Sequence, residues 1–462
     1  MIGMRKIAAS MLVFLITGCK VGPNYKRPVL STPDQYRGVA PDLSNQPGVQ
    51  PFAEMQWEAV FQDEALRALI KEALVNNYDM QIAASRILQA QAVVGITRAN
   101  QLPSVSGSGG VNYERNASIP NGPTLDNLGI QLNYIVDFWG KYRRATEAAR
   151  AQLLSTTYAR DVVQTTLISA VATAYFQLRE FDYQLEFSQK DVATDKDALR
   201  INTIKFKGGD SAITDVYQAD LLLQQAEAQV ILSEQSIAQS ENQISILLGR
   251  NPGPIARGLT LNDQPHLAIV PTGLPSALIE RRPDVRQSEA LLMAANANVG
   301  VAKAAFFPQI SLTGLFGAQS TALTSFLQGP ATVWSLGGEV LQPLYAGGAI
   351  RSAYDLAWAQ RDEAELTYKQ TVQNAFGDVA NSLVGYHQSR LYRMKIEEQT
   401  NTYRETSSLA SVRFNGGVTS FLEVLVTQQQ YFTSQVALAQ AWDAEMQNYV
   451  QLYQALGGGW QP

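Results

Sequence analysis

The sequence predicts a mixed α and β fold made by internal tandem duplication, each copy contributing two strands and one long helical hairpin. Three observations carry this expectation. Two segments match each other without gaps. Two long stretches lack proline and carry seven-residue periodicity. Short alternating runs precede both of those stretches.

The duplication comes first. Asp79–Gly109 aligns with Asp284–Gly314 at an offset of 205, pairing Asp79 with Asp284, Val94-Gly95 with Val299-Gly300 and Pro103 with Pro308. Further on the offset is 208, pairing Gly140 with Gly348, Arg143 with Arg351, Phe206 with Phe414 and Leu248-Gly249 with Leu456-Gly457. The three-residue change falls near 115–126 and 320–331, where loops accept insertions cheaply. This divides the chain into a leader (1–18), an N-terminal segment (19–62), a first repeat (63–250), a linker (251–275) and a second repeat (276–457). The linker carries five prolines and no helical period.

The helices follow. No proline occurs from Thr124 to Asn251 or from Leu344 to Gln461. A continuous helix over 141–207 would reach roughly 100 Å. Val171, Leu178, Leu185, Val192 and Leu199 recur at heptad spacing. On the return helix Val216, Leu223, Val230, Ile237 and Ile244 do the same, with Ala219, Ala226, Ser233, Ser240 and Leu247 three residues after each. Thr427, Ser434, Ala441, Asn448 and Ala455 are the second copy's equivalents. A seam of one large and one small position lets helices pack closely side by side. The hairpin turns read FKGGDSAITDV and FNGGVTSFLEV. Gly208-Gly209 and Gly416-Gly417 supply the left-handed backbone of a helix stop, and Ser211 and Thr419 are candidate N-caps.

Four strands are expected, at about 104–114, 127–139, 309–319 and 332–343. In the second, Leu128, Ile130, Leu132, Tyr134, Val136 and Phe138 alternate with mainly polar residues. Such alternation suits a transmembrane β-strand of about 9–11 residues, and equally a half-buried soluble sheet. Four strands cannot close a barrel, and an open edge cannot sit in lipid. Strands that cross a membrane here therefore require several chains, eight strands for a dimer or twelve for a trimer.

Composition excludes other classes. Net charge is −5, which disfavours nucleic acid, since a phosphate backbone needs a basic face. The two histidines, His266 and His387, and the lone Cys19 offer no disulfide and no His/Cys metal cluster, so no cofactor is expected. No nucleophile–base arrangement or nucleotide loop is visible, so no enzyme is expected. The N-terminus reads as an export signal: Arg5 and Lys6, then a ten-residue apolar run Ile7–Ile16, too short to span a bilayer. Ile16-Thr17-Gly18-Cys19 resembles the bacterial lipobox, which makes Cys19 the expected site of acylation; the plain alternative is a small buried thiol.

The block Leu274–Gly314 (LPSALIERRPDVRQSEALLMAANANVGVAKAAFFPQISLTG) and the segment Val21–Pro28 (VGPNYKRP) resemble the TolC-like outer membrane factor family, in its lipoprotein (NodT-like) branch serving RND-type efflux systems. The resemblance covers nearly the whole mature chain. It implies a homotrimer with a twelve-stranded outer-membrane barrel, a long α-helical periplasmic barrel and an equatorial region. It implies a passive exit duct for an inner-membrane RND-type transporter, reached through a periplasmic adaptor (membrane fusion protein). By the same resemblance Gly208, Gly209, Gly416 and Gly417 mark the tips where the adaptor docks, and Asp215 and Glu423 are candidates for the periplasmic gate. Many members carry a further aspartate where this chain has Val426, so the acidic ring is thinner here or is supplied by Asp220. The plain alternative for Asp215 and Glu423 is a solvated acid in a helix first turn. A type I secretion duct and a lipid-anchored coiled-coil scaffold without a pore are the competing functions.

Overall fold

The computed structural model describes residues 20–30, 32–33, 36–37, 52–113, 124–266, 270–271, 275–321 and 331–460. The leader, Cys19 and most of the two loops of unequal length lie outside the described residues. The helices are α1 (Trp57–Val60), α2 (Glu64–Asn76), α3 (Tyr78–Ala99), α4 (Lys141–Gly208), α5 (Ile213–Leu247), α6 (Pro275–Arg281), α7 (Pro283–Ala304), α8 (Ala349–Asn415) and α9 (Phe421–Ala455). The strands are β1 (Ser104–Tyr113), β2 (Thr124–Val136), β3 (Gln309–Ser320) and β4 (Thr332–Leu341). The copies thus run α3-β1-β2-α4-α5 and α7-β3-β4-α8-α9. The long helices match in length: 68 and 67 residues outward, 35 and 35 returning.

Contacts divide the chain into two units that draw on both copies: one of 1–30, 85–157 and 287–370, the other of 31–84, 158–286 and 371–462. The first holds an antiparallel sheet in the order β1-β2-β3-β4. Here β2 starts and ends three residues earlier than the alternation suggests. Phe138 belongs to a turn, because the Asp137 carboxylate accepts the amides of Tyr142 (3.1 Å) and Arg143 (2.8 Å) and so opens α4. Gly140 makes that turn at φ +77°. β4 stops before Gln342, next to a proline that cannot donate to a ladder.

In the same unit the segment after Cys19 is latched down. Arg144 is fully buried and donates to the carbonyls of Val21 (3.0 Å) and Gly22 (3.1 Å) and to Asn24 Oδ1 (3.0 Å). Gly22 lies so close to Gly300 that a Cβ would fall 2.4 Å from the Gly300 Cα. Arg27 and Tyr25 both bond Glu289, at 2.7 and 2.9 Å.

The second unit holds the hairpin ends. The small positions of the return helices are its seam, as the periodicity predicts: Ala219, Ala226, Ser233 and Ser240 are buried, and so are Thr427, Ser434, Ala441 and Ala455. Leu247 and Asn448 are only partly covered. The apolar heptad of α4 fares differently. Val171 and Leu178 are fully buried, but Leu185, Val192 and Leu199 are half-buried. Below Leu178 several of the most deeply buried α4 side chains are polar: Glu180, Gln184, Ser188, Asp195 and Asn202. The linker is also more ordered than its prolines suggest. Buried Asp63 caps α2 and accepts bonds from Tyr175 Oη (2.8 Å), the Leu259 amide (2.9 Å) and Gln264 Nε2 (2.8 Å). Burial alone would raise its pKa, but these bonds hold the carboxyl below the usual carboxylate range.

Candidate channel wall and helical tips

Residues directly opposed on antiparallel strands share a face, so the register sorts the sheet. One face carries the rows Val105–Leu132–Gly314–Leu336 and Gly107–Ile130–Phe316–Trp334. The other carries Ser104–Asn133–Thr313–Gly337 and Ser106–Gln131–Leu315–Ser335. The alternation seen in β2 alone therefore extends across four strands. The apolar face is bare: Trp334 is 70% and Leu336 81% exposed. An uncovered apolar surface of this kind belongs against lipid or a partner. Each strand has 10–13 residues, enough to cross a hydrocarbon core. Among the described residues no helix is long and apolar enough to cross a membrane.

At the tips, the turns follow the double glycines with one refinement. Only the second glycine of each pair takes the left-handed backbone, Gly209 at φ +85° and Gly417 at φ +71°. The N-caps are Ala212 and Ser420, one residue beyond the expected Ser211 and Thr419. Neither cap uses its side chain. The Asp215 carboxylate accepts the Ala212 amide at 3.4 Å. Glu423 accepts the Thr419 hydroxyl and pairs with Arg413 at 2.6 Å. Asp215 has no ion pair among the described residues, so the two candidate gate acids are not equivalent. Asp220 bonds Gln224 one turn on, and Val426 is exposed at the place of the missing aspartate. The hairpins pack together near their tips through Ala219, Leu222, Ala410, Phe421 and Val424. The rings of Phe414 and Phe421 meet edge to face at 5.2 Å.

Farther from the tips lie acids that periodicity alone hides. Burial pushes Glu180 and Asp443 up to about 7, and the charge of Glu180 adds to the rise at Asp443. Burial likewise pushes Asp191 up to about 6 and Asp195 to about 7. Glu445 is the counter-example. It is fully buried yet held below the usual carboxylate range, since bonds from His266 and Arg393 outweigh desolvation. Arg393 Nε lies 2.5 Å from Glu445, and its guanidinium stacks 4.0 Å over Trp442. His266 lies 3.2 Å away and its pKa rises, chiefly through its bond to Glu445. Among the described residues no group of three or more His, Cys, Asp or Glu side chains could hold a metal ion.

A family model described as outer membrane efflux protein matches residues 69–250 and 274–458. The chain belongs to this family. It is 29% identical over 465 residues to the cation efflux system protein CusC of Escherichia coli, covering 99% of both chains. It is 33% identical to the solvent efflux pump outer membrane protein SrpC of Pseudomonas putida, with 97% of each covered. Among solved structures it resembles the open state of the Neisseria gonorrhoeae MtrE outer membrane channel, at a TM-score of 0.87 and 27% identity, covering 96% of this chain and 99% of that one. The sheet's two-faced register is thus the wall of an outer-membrane efflux channel, and the mixed fold with four strands per chain is the family's.

Three features of the chain escape sequence reasoning. Arg413 as the partner of Glu423 lies ten residues upstream across the turn. The Arg144 latch joins residues more than 110 apart. The buried polar line of α4 hides between its apolar heptads. Its signal in the sequence is the recurrence of polar residues at three-, four- and seven-residue spacing along α4.

Proposed function

We propose that the chain is one third of a homotrimeric exit duct, the outer-membrane component of a tripartite efflux assembly. The observation that carries this is the sheet: one bare apolar face, one polar face, and two free edges at β1 and β4. In lipid those edges must pair with other chains. Three copies give a closed twelve-stranded barrel whose polar faces line the lumen, continued by the long hairpins as a periplasmic helical barrel. The repeats 63–250 and 276–457 then act as two quasi-equivalent staves per chain. Acylation of Cys19 tethers the chain to outer-membrane lipid, and the Arg144 latch fixes the segment that follows it.

In this reading a periplasmic adaptor docks at the tips carrying Gly208, Gly209, Gly416 and Gly417, and an inner-membrane RND-type transporter drives the cargo. Asp215 and Glu423 ring the narrow end and bias it toward cations. The work of the chain is conduction rather than catalysis. Relatives that match nearly the whole chain are named for cation and for solvent efflux, so in this reading the duct does not select the cargo.

The test is the mass of the detergent-solubilised particle after subtraction of bound detergent. Three chains are expected; a stable monomer or dimer contradicts the barrel. Globomycin should make the unprocessed precursor accumulate, and normal maturation under the drug removes the acyl tether.

A further inference from the structure

Midway along the hairpin ends, all four long helices enclose a cavity of about 200 Å³. Asp191, Thr194 and Asp195 face it from α4, Gln225 from α5, Ser407 from α8, and Gln428 from α9. It shares no residue with the tip turns, and the duct reading gives it no role.

Its polar inventory is lopsided. Asp191 Oδ2 and Gln428 Oε1 are buried with no hydrogen-bond partner. Asp195 is only 7% exposed and makes no hydrogen bond or ion pair among the described residues. These are acceptor oxygens, and two belong to carboxylates. Of the nearby cations, Lys190 pairs with Glu186 at 2.7 Å, Lys196 pairs with Glu227 at 3.3 Å, and Arg404 acts on Tyr431 in the cavity wall; none of them pairs with Asp191 or Asp195 among the described residues. A buried carboxylate beside a half-buried one, without counter-charge, is costly. The cavity asks for positive charge.

The donor set says which kind. Carboxylate and amide oxygens suit hard cations, and no nitrogen or sulfur ligand is present to favour zinc or copper. Two carboxylates balance one divalent ion. The cavity has room for several waters besides, and the donors come from different helices in no fixed octahedron, which fits the adaptable coordination of calcium better than the strict geometry of magnesium. We propose that this cavity binds one calcium-class divalent cation per chain, through Asp191, Asp195 and Gln428. Such an ion ties α4 of the first hairpin to α9 of the second. The site is peculiar to one copy: at the 208-residue offset, Asp191 becomes Gln399, Asp195 becomes Tyr403 and Gln428 becomes Asp220.

The experiment uses full-length protein in detergent, stripped with EDTA and titrated calorimetrically with CaCl2 and, separately, MgCl2. Saturable binding of one calcium ion per chain is expected, with affinity in the range of about 0.1–1 mM known for extracellular sites. Calcium should raise the melting temperature, and magnesium should bind at least tenfold more weakly. Asp191→Asn and Asp195→Asn should each weaken calcium binding tenfold or more, while the exposed-acid control Asp197→Asn leaves it unchanged. Terbium offers a readout on the unaltered protein, since Tyr431 in the cavity wall should sensitise its emission and calcium should quench it by displacement. No saturable calcium binding by the unaltered protein overturns the proposal. So does undiminished binding by the double Asp variant, equal affinity for magnesium, or terbium emission that calcium fails to displace.

Discussion

At the first tip Asp215 touches only the opening amide of its own helix, whereas at the second Glu423 is gripped by Arg413 and Thr419. The same contrast runs up the hairpins. The first outward helix buries Glu180 and Asp195 and half-buries Asp191, none with a basic partner among the described residues; at the 208-residue offset Glu180, Asp191 and Asp195 become Gln388, Gln399 and Tyr403. The second buries Arg393, which with His266 compensates Glu445. Duplication conserved the frame, with its double glycines, its small-residue seam and its helix lengths. Charge was free to diverge, because packing depends on volume while electrostatics depends on which partner stands opposite. Two quasi-equivalent staves can therefore carry different duties.

The sharpest way to break this comparison is to unbalance the compensated side. Arg393→Ala leaves Glu445 charged in a dry site and should cost on the order of 3–5 kcal/mol, read as a large fall in melting temperature. The matching change in the first hairpin, Glu180→Gln, should not destabilise the protein at pH 8, because it removes a buried acid that has no basic partner among the described residues. A fall of similar size there would mean that the buried acids are compensated after all.

The second contrast is between Gly300 and Gly95, which occupy equivalent places in α7 and α3. A Cβ on Gly300 would meet the Arg144 side chain at 2.9 Å, whereas one on Gly95 meets nothing within 4 Å. Gly300→Ala should cost about 1–3 kcal/mol through overpacking of the latch. Gly95→Ala should gain about 0.5–1 kcal/mol from helix propensity. Thermal melting of the two variants decides it, and equal effects would dissolve the asymmetry.

The tips come next. Glu423→Ala removes the link from α8 to α9 and should raise the open population by no more than about fivefold, since an exposed ion pair is worth at most about 1 kcal/mol. Asp215→Ala breaks no ion pair and should lower cation selectivity with little change in conductance. Single-channel recordings with asymmetric salt separate the two. Identical phenotypes would make the tips equivalent.

The smallest effect is on pH dependence. Glu180 and Asp443 are both pushed up to about 7 by burial, so the folded chain holds their protons more tightly than the unfolded chain does. The stabilisation is full below the ordinary carboxylate value of about 4 and is lost as pH rises through about 7. Melting temperature should fall by a few degrees, about 2–4 °C per kcal/mol in a large domain, between pH 5 and pH 8. Glu180→Gln with Asp443→Asn should flatten that slope.

Local chemistry made most of the fold legible. Proline-free heptads mark the long helices, alternation marks the strands, and the glycine pairs mark the tips. The errors were of one residue or of one partner. Ser211 and Thr419 look like caps, but the helices open one residue later, at Ala212 and Ser420; there Asp215 takes the Ala212 amide, while Glu423 takes the Thr419 hydroxyl. Phe138 continues the alternation of β2 in sequence, yet the carboxylate of Asp137 ends the strand by opening α4. The buried acids, the Asp63 network and the Arg144 latch depend on contacts between distant residues, which no local pattern encodes. Of the candidate site, the positions of the tips were legible; the inequality of their acids was not, because Arg413 belongs to the other side of the turn.

The central claim is that this sheet and these hairpins form a pore. Its most direct test is the current through planar bilayers containing the purified trimer. The account predicts discrete, cation-selective steps, small in the unaltered protein and enlarged by Glu423→Ala. Electrically silent bilayers, with trimer insertion verified in the same membranes, would contradict it.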